Sequence, residues 1–379
     1  MAMVLNEDQV MLKDSAADFC RERSPITAFR ELRDSQNADG FSQELWAAMV
    51  EMGWCGAVFP EELGGFDFGY QGLGVVLEET GRTLVSSPLL STVAVGGSLL
   101  LLAGSDAQRE DVISAIISGE RLLSLALDEG PTHEPSRISC KAEESGDGFV
   151  ISGEKRFVLD GHVADQLIVA ARTSGDVNDE GGITLFLVDA NAPGITRTRT
   201  HMVDRRNSAI VRFENVAVDG ASVLGVVGRG FAPLSQALDR TRICLAAEML
   251  GSLTHVFEIT IEYLKTRVQF DAAIGSFQAL QHRAAEMFGE IEIARSVVRE
   301  ALTAIDEDSA DVALLASLAK AKLNDVFHLV SNEAIQLHGG IGMTDECDVG
   351  FYLKRSRVAS ETFGSSRFHR DRYAVIKGY

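Results

Sequence analysis

The chain contains no CxxC pair, and its five cysteines (Cys20, Cys55, Cys140, Cys244 and Cys347) are odd in number and widely scattered. That pattern speaks against a disulfide framework and favours reduced thiols in a cytoplasm. The eight histidines form no HExxH or similar spacing, so no metal site is expected. No GxGxxG follows a strand pattern, which leaves a Rossmann phosphate loop unsupported. Positive charge is in deficit. Thirty-five Lys and Arg against 55 Asp and Glu give a formal charge of −20, which argues against nucleic acid or an anionic membrane surface as partner. The basic-then-apolar pattern of a signal peptide is also missing, so a cytoplasmic protein is expected. Residues 86–105 are uncharged and long enough to span a bilayer, but Pro88, three glycines and several serines dilute their hydrophobicity. A buried helix is the expectation there.

What is present falls into three textures. Residues 1–121 carry helical periodicity, as in "EDQVMLKDSAADFCRE", which puts Val10, Leu12, Ala16 and Phe19 toward one side. Residues 122–225 switch to short alternating or β-branched runs ("GFVISG", "QLIVAA", "GITLFLV", "SAIVRFENVAV") separated by Gly, Asp and Asn. Such spacing predicts an antiparallel β domain or barrel, with "TSGDVNDEGG" as an exposed hairpin tip. Residues 226–379 open on "GVVGRGFAPL", read as a flexible hinge whose Pro233 suits the start of a helix. Leu234, Leu238, Leu245, Met249, Leu253, Val256, Thr260 and Leu264 then keep one face apolar for about 30 residues. Leu280, Ala284, Met287, Ile291, Ala294 and Val298 repeat the pattern, and Val312, Leu315, Ala319 and Val326 begin a third helix. Long helices with short connections predict an antiparallel four-helix bundle. The fold class is α+β: an N-terminal helical domain, a middle antiparallel β domain and a C-terminal bundle.

Two stretches invite chemistry. In "RVQFDAAIGSFQALQH", Arg267 offers a planar fork suited to pyrophosphate and Gln278 offers a donor and an acceptor. The same residues also suit a plain helix–turn–helix connection with an incidental Arg. In "QLHGGIGMTDE", Gly339, Gly340 and Gly342 permit close backbone approach to a ligand, yet glycine is equally the usual helix C-cap. Residue by residue, the reading stops at possible nucleotide-contacting turns.

Five segments taken in order go further. "FPEELGGFDFGYQGLGVVLEETGRT", "GEKRFVLDGHVADQLIVAAR", "LGVVGRGF", "RVQFDAAIGSFQALQHRAAEM" and "QLHGGIGMTDE" together resemble the acyl-CoA dehydrogenase family along nearly the whole chain. The resemblance implies an FAD-dependent oxidoreductase acting on an acyl-CoA thioester. A glutamate removes the α-proton while the β-hydrogen leaves as hydride to the flavin, and an electron-transfer flavoprotein accepts the electrons. It also implies an FAD lying across a subunit interface, its ring cradled by one subunit and its ADP half gripped by the neighbour's bundle.

Carried over by position, the implied sites divide. Arg267, Phe270 and Gln278, with Gln336, Gly339 and Gly340, match the ADP-gripping residues. The flavin-ring positions depart from the pattern. Asp128 stands for a hydroxyl residue, where an acid would repel a reduced, anionic flavin, and Phe157, Val158 and Leu159 stand for Trp-Ile-Thr. Phe363 occupies the usual glutamate slot, and Thr241, beside the supporting Arg242, occupies a second one. Glu361 lies two residues before Phe363, about 200° round a helix, and a salt bridge with Lys354, Arg357 or another basic neighbour is its expected role. The chain therefore resembles the divergent subunit of the α2β2 acyl-CoA dehydrogenases of actinobacteria that act on steroid side-chain CoA thioesters. In that reading it supplies the ADP grip to a homologous partner that carries the base. The alternatives are a homotetramer using Glu361 and a flavin-free acyl-CoA-binding or scaffold homologue.

Overall fold

The computed structural model describes residues 5–379; residues 1–4, where the expected first domain begins, lie outside the described residues. The N-terminal third is helical: α1 (Glu7–Arg23), α2 (Ile26–Asp34), α3 (Gln43–Glu51), α4 (Gly69–Arg82), α5 (Ser98–Ala103) and α6 (Asp106–Ile117). Their starts follow local chemistry. Asn6 with Gln9 and Ser105 with Gln108 form capping boxes at α1 and α6, satisfying N–H groups that a helix cannot pair internally. The uncharged stretch forms a π-helical turn, Leu90–Gly97, running into α5, and most of it is buried.

Eight strands follow: β1 (Leu123–Ala126), β2 (Lys141–Ser145), β3 (Gly148–Leu159), β4 (Gln166–Arg172), β5 (Ile183–Asp189), β6 (Ile195–His201), β7 (Asn207–Asp219) and β8 (Val223–Leu224). They form one sheet in the order β6-β7-β3-β2-β4-β5-β8, with β1 alongside β4. The long pairs β3–β7, β4–β5 and β6–β7 are antiparallel, whereas β1 joins β4 in parallel, Leu123 opposite Gln166. The register of β3 against β7 slips between Lys155 and Val158. A bulge there lifts Arg156 and Phe157 out of the ladder and re-aims their side chains.

The remainder is α7 (Phe231–Thr266), a two-stranded hairpin of β9 (Val268–Gln269) and β10 (Ala272–Ala273), then α8 (Gln278–Asp306), α9 (Val312–His338), α10 (Val349–Glu361) and α11 (Ser366–Lys377). All eight apolar-face positions of α7, from Leu234 to Leu264, are buried. On α1, however, Ala16 and Cys20 are buried while Val10 is exposed. The expected hinge is held at its base: Gly228 N–H donates to Thr184 Oγ1, and the N–H groups of Gly182 and Gly230 donate to Gly228 and Ile183 carbonyls. Those bonds extend the β5 edge and remove the freedom that glycines alone would give.

The chain divides into two compact units. One comprises residues 35–69 and 86–241, with the eight-stranded sheet at its centre. The other gathers the residues before Ser35, Tyr70–Val85 and Arg242–Tyr379. Within this helical unit α4 and α7 cross at glycine: a Cβ on Gly251 would sit 1.7 Å from the Glu78 carbonyl oxygen. Ser252 Oγ donates to Gly81 O at 2.8 Å across the same crossing.

Candidate functional site

In the helical unit, α7 ends in a tight hairpin. Arg267 N–H donates to Tyr263 O, and the Arg267 carbonyl accepts from Ile274 N–H. Gln269 pairs with Ala272, so Phe270 and Asp271 form a two-residue turn with φ of 53° and 60°. Left-handed backbone at both positions is the mirror-image turn that suits twisted strands, and it is normally filled by Asn and Gly. Holding Phe there costs about 1 kcal/mol or more. The ring is nonetheless 89% exposed, with the Phe277 ring edge-on to it at 6.2 Å between centroids. The Arg267 side chain is exposed and makes no hydrogen bond or ion pair among the described residues. Gln278, the first residue of α8, is exposed too.

The C-terminus of α9 provides the second group. Gln336, Gly339 and Gly340 are all exposed. Gly339 has φ 65° and ψ −138°, a region open essentially to glycine alone. A Cβ added at Gly339 or Gly340 would meet nothing within 4 Å. The structure ties the two groups together through a pair missing from the sequence reading: the Tyr263 and His338 rings stack at 4.3 Å, and Tyr263 OH donates to His338 O. Arg267 follows Tyr263 by one helical turn and Gly339 follows His338 directly. The donor set (guanidinium, two amides, open glycine backbone and an exposed aromatic) fits an ADP moiety, with Arg267 for the pyrophosphate and Phe270 for an apolar face. FAD bound there would supply the redox chemistry.

The turn after α10 is built in the opposite way. Phe363 has φ 57° and Gly364 φ 120°. Around them, side chains from three helices converge on backbone carbonyls. Lys320 Nζ, on α9 and wholly buried, donates to Ala359 O at 2.7 Å, to Gly364 O at 3.2 Å and to Asn324 Oδ1 at 2.8 Å. Asn324 Nδ2 donates to Ser360 O at 3.1 Å. Arg242 Nε on α7 donates to Phe363 O at 3.0 Å, and His369 Nε2 on α11 lies 3.2 Å from the same oxygen. Arg242 also lies over the Phe368 ring at 5.3 Å. Burial, and then the Arg242 charge, push the Lys320 ammonium well below its ordinary 10.5, opposed by the charge of Glu361.

Glu361 closes α10 and is exposed. The expected salt bridge is not formed: among the described residues no ion pair reaches Glu361, and Arg357 turns instead to His328 Nδ1 at 2.6 Å and Asn332 Oδ1. His328 and Asn332 lie across on α9, where the Arg357 fork reaches two acceptors at once. Thr241 is fully buried, its hydroxyl donating to Ala237 O at 2.8 Å. No carboxylate stands at position 363 or 241.

In the sheet unit, Asp128 is not left as a bare acid. Both its oxygens lie 3.0 Å from Nδ1 of buried His133, so the acid expected from the sequence has an imidazole as hydrogen-bond partner. The neighbouring Glu129 accepts from Lys155 Nζ at 2.8 Å and from Cys140 N–H. Phe157, on the bulge, has φ 52° and is 48% exposed, while Val158 is buried. The Leu159 side chain has no donor, and its carbonyl accepts from Ser124 Oγ.

Sequence reasoning passed over Lys320, Asn324, His369, Tyr263 and His338. One signal was available for Lys320, which interrupts the apolar stripe of Ala316, Ala319 and Leu323 on α9. A lysine there is buried only if its head group finds acceptors.

Comparison with known proteins shows matches in sequential order. Family models for the N-terminal, middle and C-terminal domains of acyl-CoA dehydrogenases match residues 6–120, 133–216 and 228–375. A probable acyl-CoA dehydrogenase, YngJ of Bacillus subtilis, is 30% identical over 98% of both chains. Subunit CarC of the caffeyl-CoA reductase–Etf complex of Acetobacterium woodii is 28% identical over 99% of both. Among solved structures, a variant of the steroid ACAD Tcur3481-Tcur3483 superposes with a TM-score of 0.88 at 29% identity, covering 98% of each chain. The ChsE4-ChsE5 complex of Mycobacterium tuberculosis superposes with a TM-score of 0.90 at 25% identity, covering 100% of each.

Proposed function

Since the chain belongs to the acyl-CoA dehydrogenase family, whose cofactor is FAD, we propose that it works as one half of a shared flavin site. In this reading it grips the ADP half of the FAD with Arg267, Phe270, Gln278, Gln336, Gly339 and Gly340, while a homologous partner supplies the catalytic glutamate. One observation carries the reading: the ADP set is presented outward with Arg267 unengaged, whereas the fixed turn after α10 presents Phe363 and no carboxylate. A base must accept the α-proton of the acyl thioester, and a phenyl ring cannot.

A steroid side-chain CoA thioester is the substrate class proposed, supported by similarity to a steroid ACAD and to the two-component ChsE4-ChsE5 complex. An electron-transfer flavoprotein is the proposed acceptor, supported by similarity to a subunit of an Etf complex. A second reading, a self-sufficient homotetramer with Glu361 as base, is favoured by one fact: Glu361 is exposed and has no ion pair among the described residues.

The test is the visible spectrum and native mass of the chain expressed alone and with a homologous dehydrogenase. Colourless or insoluble protein alone, but a yellow heterotetramer with about two flavins per four chains, is expected. A yellow, active homotetramer that loses turnover in Glu361→Gln would overturn the shared site in favour of the second reading. A colourless complex would remove flavin from the function altogether.

A further inference from the structure

On the surface of the helical unit, Arg357 of α10 bridges to α9. Its NH1 lies 2.6 Å from Nδ1 of His328, and its NH2 donates to Asn332 Oδ1 at 3.3 Å. A guanidinium can only donate, so Nδ1 must offer its lone pair and the imidazole must be neutral, its proton on Nε2. The bridge therefore exists only while His328 is unprotonated. The charged groups acting on this ring are Arg357 from α10 and Asp325 from the preceding turn of α9. Asp325 is itself paired with Arg370 from α11. Burial, and then the Arg357 charge, lower the His328 pKa from its ordinary 6.5, opposed by Asp325. One turn along α10 from Arg357 stands Glu361, exposed and without an ion pair among the described residues. Side chains four apart on a helix are neighbours, so the guanidinium that serves His328 can also reach this carboxylate. Lys320 of α9 acts on Glu361 through its charge as well.

We propose that His328 and Glu361 are alternative partners of Arg357, exchanged by a single proton. With His328 neutral, Arg357 ties α10 to α9 and Glu361 stays free. When a proton from solvent occupies Nδ1, the lone pair is lost and two positive charges face each other. Arg357 then turns to Glu361, and the imidazolium is left to Asp325. The exchange makes one N–H bond and breaks no covalent bond, so it needs no reactant but the proton. A tie between two helices becomes a staple within one. Because the folded value of His328 lies below 6.5, the tie is complete above that pH and is lost as pH falls through the folded value. The inference is independent of how the flavin site is divided between subunits. Under either reading it sets when the carboxylate at the end of α10 is free.

The experiment uses the full chain, with its homologous partner if the partner is needed for solubility. Urea unfolding is measured at pH 8 and pH 5 for the unaltered protein, Arg357→Gln, Glu361→Gln and the double variant. Coupling between positions 357 and 361 is expected to be absent at pH 8. At pH 5 it is expected to reach about twofold in the unfolding constant, the size of an exposed pair one helical turn apart. His328→Gln keeps an acceptor oxygen at every pH, so in that background no coupling is expected at either pH. Proton NMR of the imidazole rings, assigned with the same variant, reads the charge on His328 directly. A His328 still neutral at pH 5, or a coupling equal at the two pH values, overturns the inference. So does a rise in coupling at pH 5 that survives His328→Gln, because another group then drives it.

Discussion

Phe270 and Phe363 are both phenylalanines in left-handed backbone, at φ 53° and 57°, and they are held there by different means. Phe270 sits at the tip of a two-residue hairpin, where strand register alone forces the turn and the ring lies in the open. Phe363 sits in a turn held by side chains from α7, α9 and α11. The hairpin needs only its strand pairing to form and leaves Phe270 exposed. The clamped turn instead draws on buried basic side chains, whose hydrogen bonds hold its carbonyls. The same left-handed backbone is held by strand register in one place and by side-chain hydrogen bonds to carbonyls in the other.

The largest expected effect tests the grip. Arg267→Ala in the flavin-loaded complex should weaken FAD retention by at least about tenfold, the loss of one charge-assisted contact, with the melting temperature of the flavin-free protein unmoved. The flavin-to-protein absorbance ratio after dialysis measures it, and unchanged flavin content would end the equivalence between Arg267 and an ADP grip.

Next comes the frame. Lys320→Met leaves the Ala359 and Gly364 carbonyls without their buried donor, a loss of about 2–3 kcal/mol of unfolding free energy. Urea denaturation reads this directly. A loss no larger than that of a surface substitution would show that the clamp is dispensable to the fold.

A pH titration separates the frame from the rest of the helical unit. Burial by itself would raise the Glu258 carboxyl, but His255, whose Nδ1 lies 3.6 Å away, and the Arg82 hydrogen bond and charge hold it down to about 2. Its folded value is depressed below the ordinary 4.5. The stability it contributes is therefore complete above about pH 4.5 and lost as pH falls toward 2. Glu258→Gln should flatten that acid limb of the stability curve. A parallel limb in the variant would assign acid loss to other carboxylates, such as Asp345, which the Arg33 hydrogen bond holds down to about 2.

The smallest effect sharpens the contrast itself. Phe270→Gly relieves left-handed strain at a residue with almost no buried contact, so stability should rise by about 0.5–1 kcal/mol. Phe363→Gly relieves the same strain but removes half-buried ring contacts, so no such gain is expected there. Equal gains at the two positions, measured by thermal denaturation, would erase the distinction.

Much of this molecule was legible from its residues. The period of three and four along α7 predicted a buried face because side chains on a helix return to the same side at that interval. Alternation from Phe149 onward predicted strands for the same geometric reason. The residues proposed to grip the ADP half lie in short contiguous motifs, where spacing along the chain already fixes spacing in space. Three things were not legible. The pairing of Asp128 with His133 spans five residues of irregular chain with no period to follow. Glu361 lacks the expected ion pair because Arg357 found acceptors on a different helix. The clamp joins Arg242, Lys320 and His369, residues more than 120 positions apart at the extremes, to one turn. Sequence determined which faces are buried and which motifs can hold a nucleotide, because those follow from local periodicity. Only the tertiary structure decided how the turn at position 363 is held, because backbone strain persists where distant side chains, brought together by packing, supply the hydrogen bonds that hold it.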